Sequence, residues 1–166
     1  MIGQDGRPHD DPCQRSRAVI PDAAGQHLTL HTRASNLAVR EVLARTRDWL
    51  HACAMPDEAC GTVELVLAEA LNNIVEHAYP PETPGDIQIA LALHPARLVA
   101  ILSDQGAALP GLCPPDGLLP EHDVARGALP EGGFGWFLIR DLTDRIDYRR
   151  AAGCNHLTLE FHRAPL

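Results

Sequence analysis

Residues 64–79 read ELVLAEALNNIVEHAY, and this stretch decides how the rest of the chain is arranged. Val63, Val66, Leu67, Ala70, Ile74 and Val75 recur at steps of three and four, which predicts a helix with one buried stripe. Beside the stripe, Glu69 and Asn73 stand four apart and so stack on one face, one turn from each other. His77 continues the row. A carboxylate can polarise a nucleophile, and an amide oxygen can ligate a hard cation such as Mg²⁺. The pair therefore suits work on a metal–phosphate ligand, although the same spacing also serves ordinary helix stability.

Outward from this helix, the chain punctuates itself. Pro80 and Pro81 end the helix near Tyr79, and Pro56 suits its first turn, with Asp57 and Glu58 at the positive end. Upstream, residues 26–32 alternate as a strand, Ser35 or Asn36 can cap the next helix, and Leu37 to Cys53 carries its broad apolar face. Downstream, residues 86–93 and 97–103 read as an antiparallel hairpin joined at His94-Pro95-Ala96. Residues 107–131 hold five prolines and three glycines, which suits a lid or binding loop. Gly132-Gly133-Phe134-Gly135 opens a helix from Trp136 to Leu142, and glycines there let backbone N–H groups approach an anion. Residues 145–149 and 156–162 close the chain as a strand pair turning at Ala151-Ala152-Gly153.

The order β, α, α, β, β, lid, α, β, β predicts an α+β two-layer sandwich: a mixed, mostly antiparallel sheet with helices on one face. The 166 residues make one domain, with residues 1–24 expected as a flexible arm and the domain running from 25 to 166. A net charge of −8 argues against direct nucleic-acid binding and against docking on an anionic membrane. No run of roughly eighteen apolar residues suggests a membrane span, and the polar first residues lack the apolar core of a secretory signal. The five scattered cysteines read as reduced thiols in a cytoplasmic protein.

Three signals stand in order: Glu69-x-x-x-Asn73 on a helix, Asp104-x-Gly106 at a strand end, and Gly132-Gly133-x-Gly135 at a helix start. With residues 69–79 (EALNNIVEHAY), 103–106 (SDQG), 131–148 (EGGFGWFLIRDLTDRIDY) and 153–161 (GCNHLTLEF), the sequence resembles the GHKL, or Bergerat-fold, ATPases. It is most similar to the anti-sigma-factor serine/threonine kinases of the RsbW and SpoIIAB kind.

The resemblance implies ATP or ADP and Mg²⁺ as ligands. Glu69 looks like the catalytic base, and Asn73 like the Mg²⁺ ligand, with Asn72 and His77 close by. Asp104 looks like the carboxylate that meets the adenine amino group, and Gly106 lets the backbone pass near the purine. Gly132, Gly133 and Gly135 look like the phosphate cradle, and Thr158 like a second residue near the base. The first glycine box reads DQGAA, without the further glycine many relatives carry. By resemblance the protein is a homodimeric kinase. By the same resemblance it would phosphorylate a STAS-type anti-anti-sigma antagonist and sequester a sigma factor. The alternative is a nucleotide-binding module that sequesters a partner without phosphoryl transfer.

Overall fold

The computed structural model describes residues 25–117 and 133–162. Within them five strands and three helices follow the predicted order: β1 (Gln26–Arg33), α1 (Asn36–Ala52), α2 (Asp57–His77), β2 (Asp86–Leu93), β3 (Arg97–Asp104), α3 (Gly133–Leu142), β4 (Arg145–Ala151) and β5 (Cys154–His162). The expected arm at 1–24, Gly132 and most of the expected lid lie outside the described residues.

Each boundary has a local cause. Ser35 caps α1 by accepting from the Ala38 N–H at 3.3 Å. Pro56 is the residue just before α2, one position earlier than the first-turn placement expected for it, and Asp57 and Glu58 stand in the first turn. The helix stops at His77, ahead of the two prolines. The turn from β4 to β5 runs through Ala152 and Gly153, both at positive φ, which matches the twist of a tight hairpin.

The strands form one sheet in the order β1-β2-β3-β5-β4, antiparallel at every pairing, so the parallel component of a mixed sheet is not found among the described residues. Side chains alternate between its faces. One row across the sheet, Leu30, Ile89, Leu102, Leu157 and Tyr148, shares the face that carries the core. On that side α2 buries Val63, Val66, Leu67, Ala70, Leu71 and Ile74, while Val75 is half-buried. α1 adds Val39, Val42 and Leu50, and α3 adds Trp136 and Ile139. The helices therefore form one layer over one face, as the alternation of the strands implies.

One expectation fails in the sheet. Cys154 is disulfide-bonded, against the reading of five reduced thiols, whereas Cys60 and Cys113 are thiols. Spacing along the chain carries no record of which cysteines folding brings within bonding distance. No helix among the described residues is long and apolar enough to cross a membrane.

Candidate functional site

A cavity of about 380 Å³ opens at the C-terminal end of β3, between that strand end, α2 and the start of α3. Asn73, His77, Asp104, Trp136, Tyr148 and Asn155 are among the residues that line it. Its size falls within the range that holds nucleoside-sized ligands.

Asp104 is the last residue of β3 and only 4% exposed. Its Oδ1 accepts the Gly106 N–H and the Asn155 side-chain amide, each at 2.8 Å. Oδ2 accepts no hydrogen bond among the described residues. Burial pushes the carboxyl pKa up, and the Asn155 and Gly106 hydrogen bonds and the Arg150 charge pull it back. The result is a carboxylate with one oxygen held by the protein and the other left for a ligand.

The turn after Asp104 is drawn tight against α2. Ala107 N–H donates to the Ala78 carbonyl at 2.7 Å. A Cβ on Gly106 would stand 2.5 Å from that same oxygen, so no larger residue fits there without moving backbone. Tyr79 adds a tie: its hydroxyl accepts from Gln105 N–H at 2.8 Å and donates to the Asp86 carbonyl at 3.1 Å.

Beside the cavity, α3 begins against the polar row of α2; Asn73 lines the cavity, while Glu69 and Gly135 are not among its lining residues. A Cβ on Gly135 would lie 2.7 Å from Glu69 Oε2 and 3.9 Å from Asn73 Oδ1. The glycine corner and the Glu69–Asn73 pair, far apart in sequence, thus meet. Asn73 Nδ2 is buried and has no hydrogen-bond partner among the described residues. A buried amide left unpaired costs on the order of 1–3 kcal/mol, and a bound ligand can remove that cost. These polar groups therefore fit a nucleotide: an acceptor at Asp104, an unpaired amide donor at Asn73, and backbone brought close at Gly106 and Gly135.

The remaining expected residues divide. His77 lines the cavity with an exposed ring. Asn72 is half-buried and is not among the lining residues, since one residue turns a helix by about 100°. Gly133 is the first residue of α3. Thr158 is a correction: it pairs with Ile101 and Asp147, on the face away from the helices. The place beside Asp104 belongs to Asn155, its direct cross-strand partner. From Asn155 to Thr158 is an odd step in the pleat, so the two cannot share a face.

Asn155, Tyr148 and Arg150 were missed by sequence reading. Tyr148 OH accepts from Leu109 N–H at 3.1 Å and donates to Asn155 Oδ1 at 2.7 Å. Asn155 Nδ2 also reaches the Ala107 carbonyl at 3.0 Å. The usable signal was register: counting back from the β4–β5 turn pairs Arg150 with Asn155 and Tyr148 with Leu157.

The family of histidine kinase-like ATPase domains matches residues 32–161, the span that carries all of this geometry. The chain belongs to that family. Within the histidine kinase-like ATPase family it is a serine/threonine-protein kinase of the RsbW type, and it binds a nucleotide. It is 35% identical over 121 residues to the serine/threonine-protein kinase BtrW of Bordetella bronchiseptica, covering 70% of this chain and 83% of that protein. Against the serine-protein kinase RsbW of Halalkalibacterium halodurans the identity is 33% over 97 residues, 55% of this chain and 56% of that kinase. The chain thus spans little more than half the length of that RsbW relative. Among solved structures, the RsbU and RsbW domains of Rv1364c from Mycobacterium tuberculosis share the fold, with a TM-score of 0.58 and 21% identity over 84% of this chain and 34% of that one. The SiaB–SiaC complex from Pseudomonas aeruginosa shares it with a TM-score of 0.51 and 16% identity over 82% of this chain and 89% of that one.

Proposed function

We propose that this kinase uses ATP to phosphorylate a serine on a small STAS-type anti-anti-sigma partner, and that it sequesters a sigma factor when the partner is absent. One observation carries the reading: Gly135 packs on Glu69 and beside Asn73, and Asn73 lines the same cavity as Asp104. The related kinases BtrW and RsbW are serine or serine/threonine-protein kinases by name.

In this reading Asp104 Oδ2 accepts a hydrogen bond from the adenine amino group. Guanine would set its carbonyl oxygen against the carboxylate, so the site prefers adenine. Asn73 would hold Mg²⁺ by its side-chain oxygen, and the ion would supply charge that neutralises the triphosphate. The backbone at the start of α3 lies along the phosphates. Glu69, half-buried at the same corner, takes the proton from the attacking serine hydroxyl. Phosphoryl transfer is mostly positioning and charge neutralisation, so this short set of residues is sufficient. The kinase acts as a homodimer, and its net charge of −8 disfavours direct contact with nucleic acid or anionic membrane.

Incubation with γ-labelled ATP and candidate STAS proteins tests this. Label on a serine of the partner, lost in Glu69→Ala, is the expected result. Retained partner binding with no label transferred would reduce the protein to a binding module.

A further inference from the structure

Arg150 has no part in the proposed phosphoryl transfer, yet one of its nitrogens holds both residues that hold Asp104. Asp104, Asn155 and Arg150 form one row across β3, β5 and β4, on the face under the helices. Arg150 Nη1 donates to the Gly106 carbonyl at 2.9 Å and to Asn155 Oδ1 at 2.5 Å. Gly106 and Asn155 in turn supply the two donors on Asp104 Oδ1.

The chemistry of the row admits one arrangement. A guanidinium donates and cannot accept, so the Asn155 oxygen must face Arg150. The Asn155 NH₂ group then faces Asp104 Oδ1 and the Ala107 carbonyl. The same guanidinium holds the Gly106 carbonyl, one peptide on from the Gly106 N–H that points at the carboxylate. Tyr148 OH supports Asn155 Oδ1 from a second direction. Asp104 is thereby held on one oxygen, with the positive charge of Arg150 two residues along the row.

We infer that Arg150 is a positioning residue for purine selection: by anchoring Gly106 and Asn155 it fixes the Asp104 carboxylate as an acceptor-only group toward the base. This rests on the reading that Asp104 meets the adenine amino group. Without Arg150, Asn155 and the Gly106 peptide lose a charge-assisted partner, and the carboxylate can turn or take up a proton. Either change weakens the acceptor that the adenine amino group needs and lessens the penalty that guanine meets.

The test is calorimetric measurement of ADP and GDP dissociation constants for the parent protein, Arg150→Met, Arg150→Lys and Asp104→Asn, with thermal melts of each. Arg150→Met should cut the ADP-over-GDP preference roughly tenfold, mainly through weaker ADP binding. Arg150→Lys, which keeps a charge and a donor, should fall between the parent and the Met variant. If Arg150→Met does not fold, the Lys variant decides alone, because one ammonium serving both oxygens should still lower the preference. Equal loss of ADP and GDP affinity would make Arg150 merely structural and overturn the inference. So would an unchanged preference in either Arg150 variant while Asp104→Asn abolishes it, and in that case the base reading stands. No ADP preference in the parent, or a preference that survives Asp104→Asn, would instead sink the base reading and the inference with it.

Discussion

Gly135 lies against the carboxylate of Glu69, so close that a single added carbon would stand 2.7 Å from Oε2. The atom in the way is the far end of a flexible side chain, so the fold can yield at little cost while the carboxylate cannot keep its place. Gly135→Ala should therefore melt within about 1 kcal/mol of the parent, a typical surface-level effect, yet lose phosphoryl transfer by a factor of ten or more through misplacement of the base. Unchanged turnover in single-round transfer would separate Glu69 from the chemistry.

Asn73→Ala removes the buried unpaired amide at the cavity. Nucleotide affinity in the presence of Mg²⁺ should collapse toward its Mg²⁺-free value, while the melting temperature without ligand should hold or rise, since an unpaired polar group is gone. Titrations of ADP with and without Mg²⁺ read this directly, and an undiminished Mg²⁺ effect would remove the metal role from Asn73.

Asp104→Asn should part binding from stability. The amide oxygen can still accept from Gly106 and Asn155, so the local network survives. Adenine nucleotide affinity should drop by about 1–3 kcal/mol, because the group meeting the base now donates where it accepted. Burial raises the pKa of Asp104 in the fold, so keeping it ionised costs stability. That cost is absent at pH below the ordinary carboxylate range and grows as pH rises through the folded pKa. The Asn variant should therefore gain on the parent in melts from pH 4 toward neutrality. A parent that gains on the variant over that interval would contradict the sign.

His156 stands on the other face of the sheet, 1% exposed, with Nδ1 2.9 Å from Ser103 Oγ and Nε2 buried without a partner among the described residues. Burial, and then the Arg149 charge, lower its pKa below the ordinary 6.5. The neutral ring is the native form, so stability is full above pH 6.5 and declines as acid protonates the unfolded chain first. Melts between pH 7.5 and pH 5 should show this loss, and His156→Gln should flatten it. An equal acid slope in the variant would assign the effect to other groups.

Much of this protein could be read without coordinates. Helical periodicity around Glu69 and Asn73, the paired prolines after Tyr79 and the alternation of the strands are local patterns, and local patterns fix element type and order. The three short boxes were legible for the same reason: each sits at the end of an element whose boundary the sequence marks.

What the chain alone left open is which distant side chains share a face. Thr158 and Asn155 differ by an odd step in a strand, and only the pairing of β5 with β3 decided that Asn155, not Thr158, stands beside Asp104. The row that carries Arg150 to the same carboxylate, and the burial that raises its pKa, exist only once β4 closes the sheet. The sequence by itself determined the elements and the residues able to do chemistry, because backbone propensity and hydrophobic period act over a few neighbours. The tertiary structure decided their partners, because strand register turns on contacts roughly fifty residues apart and a slip of one residue inverts every side chain.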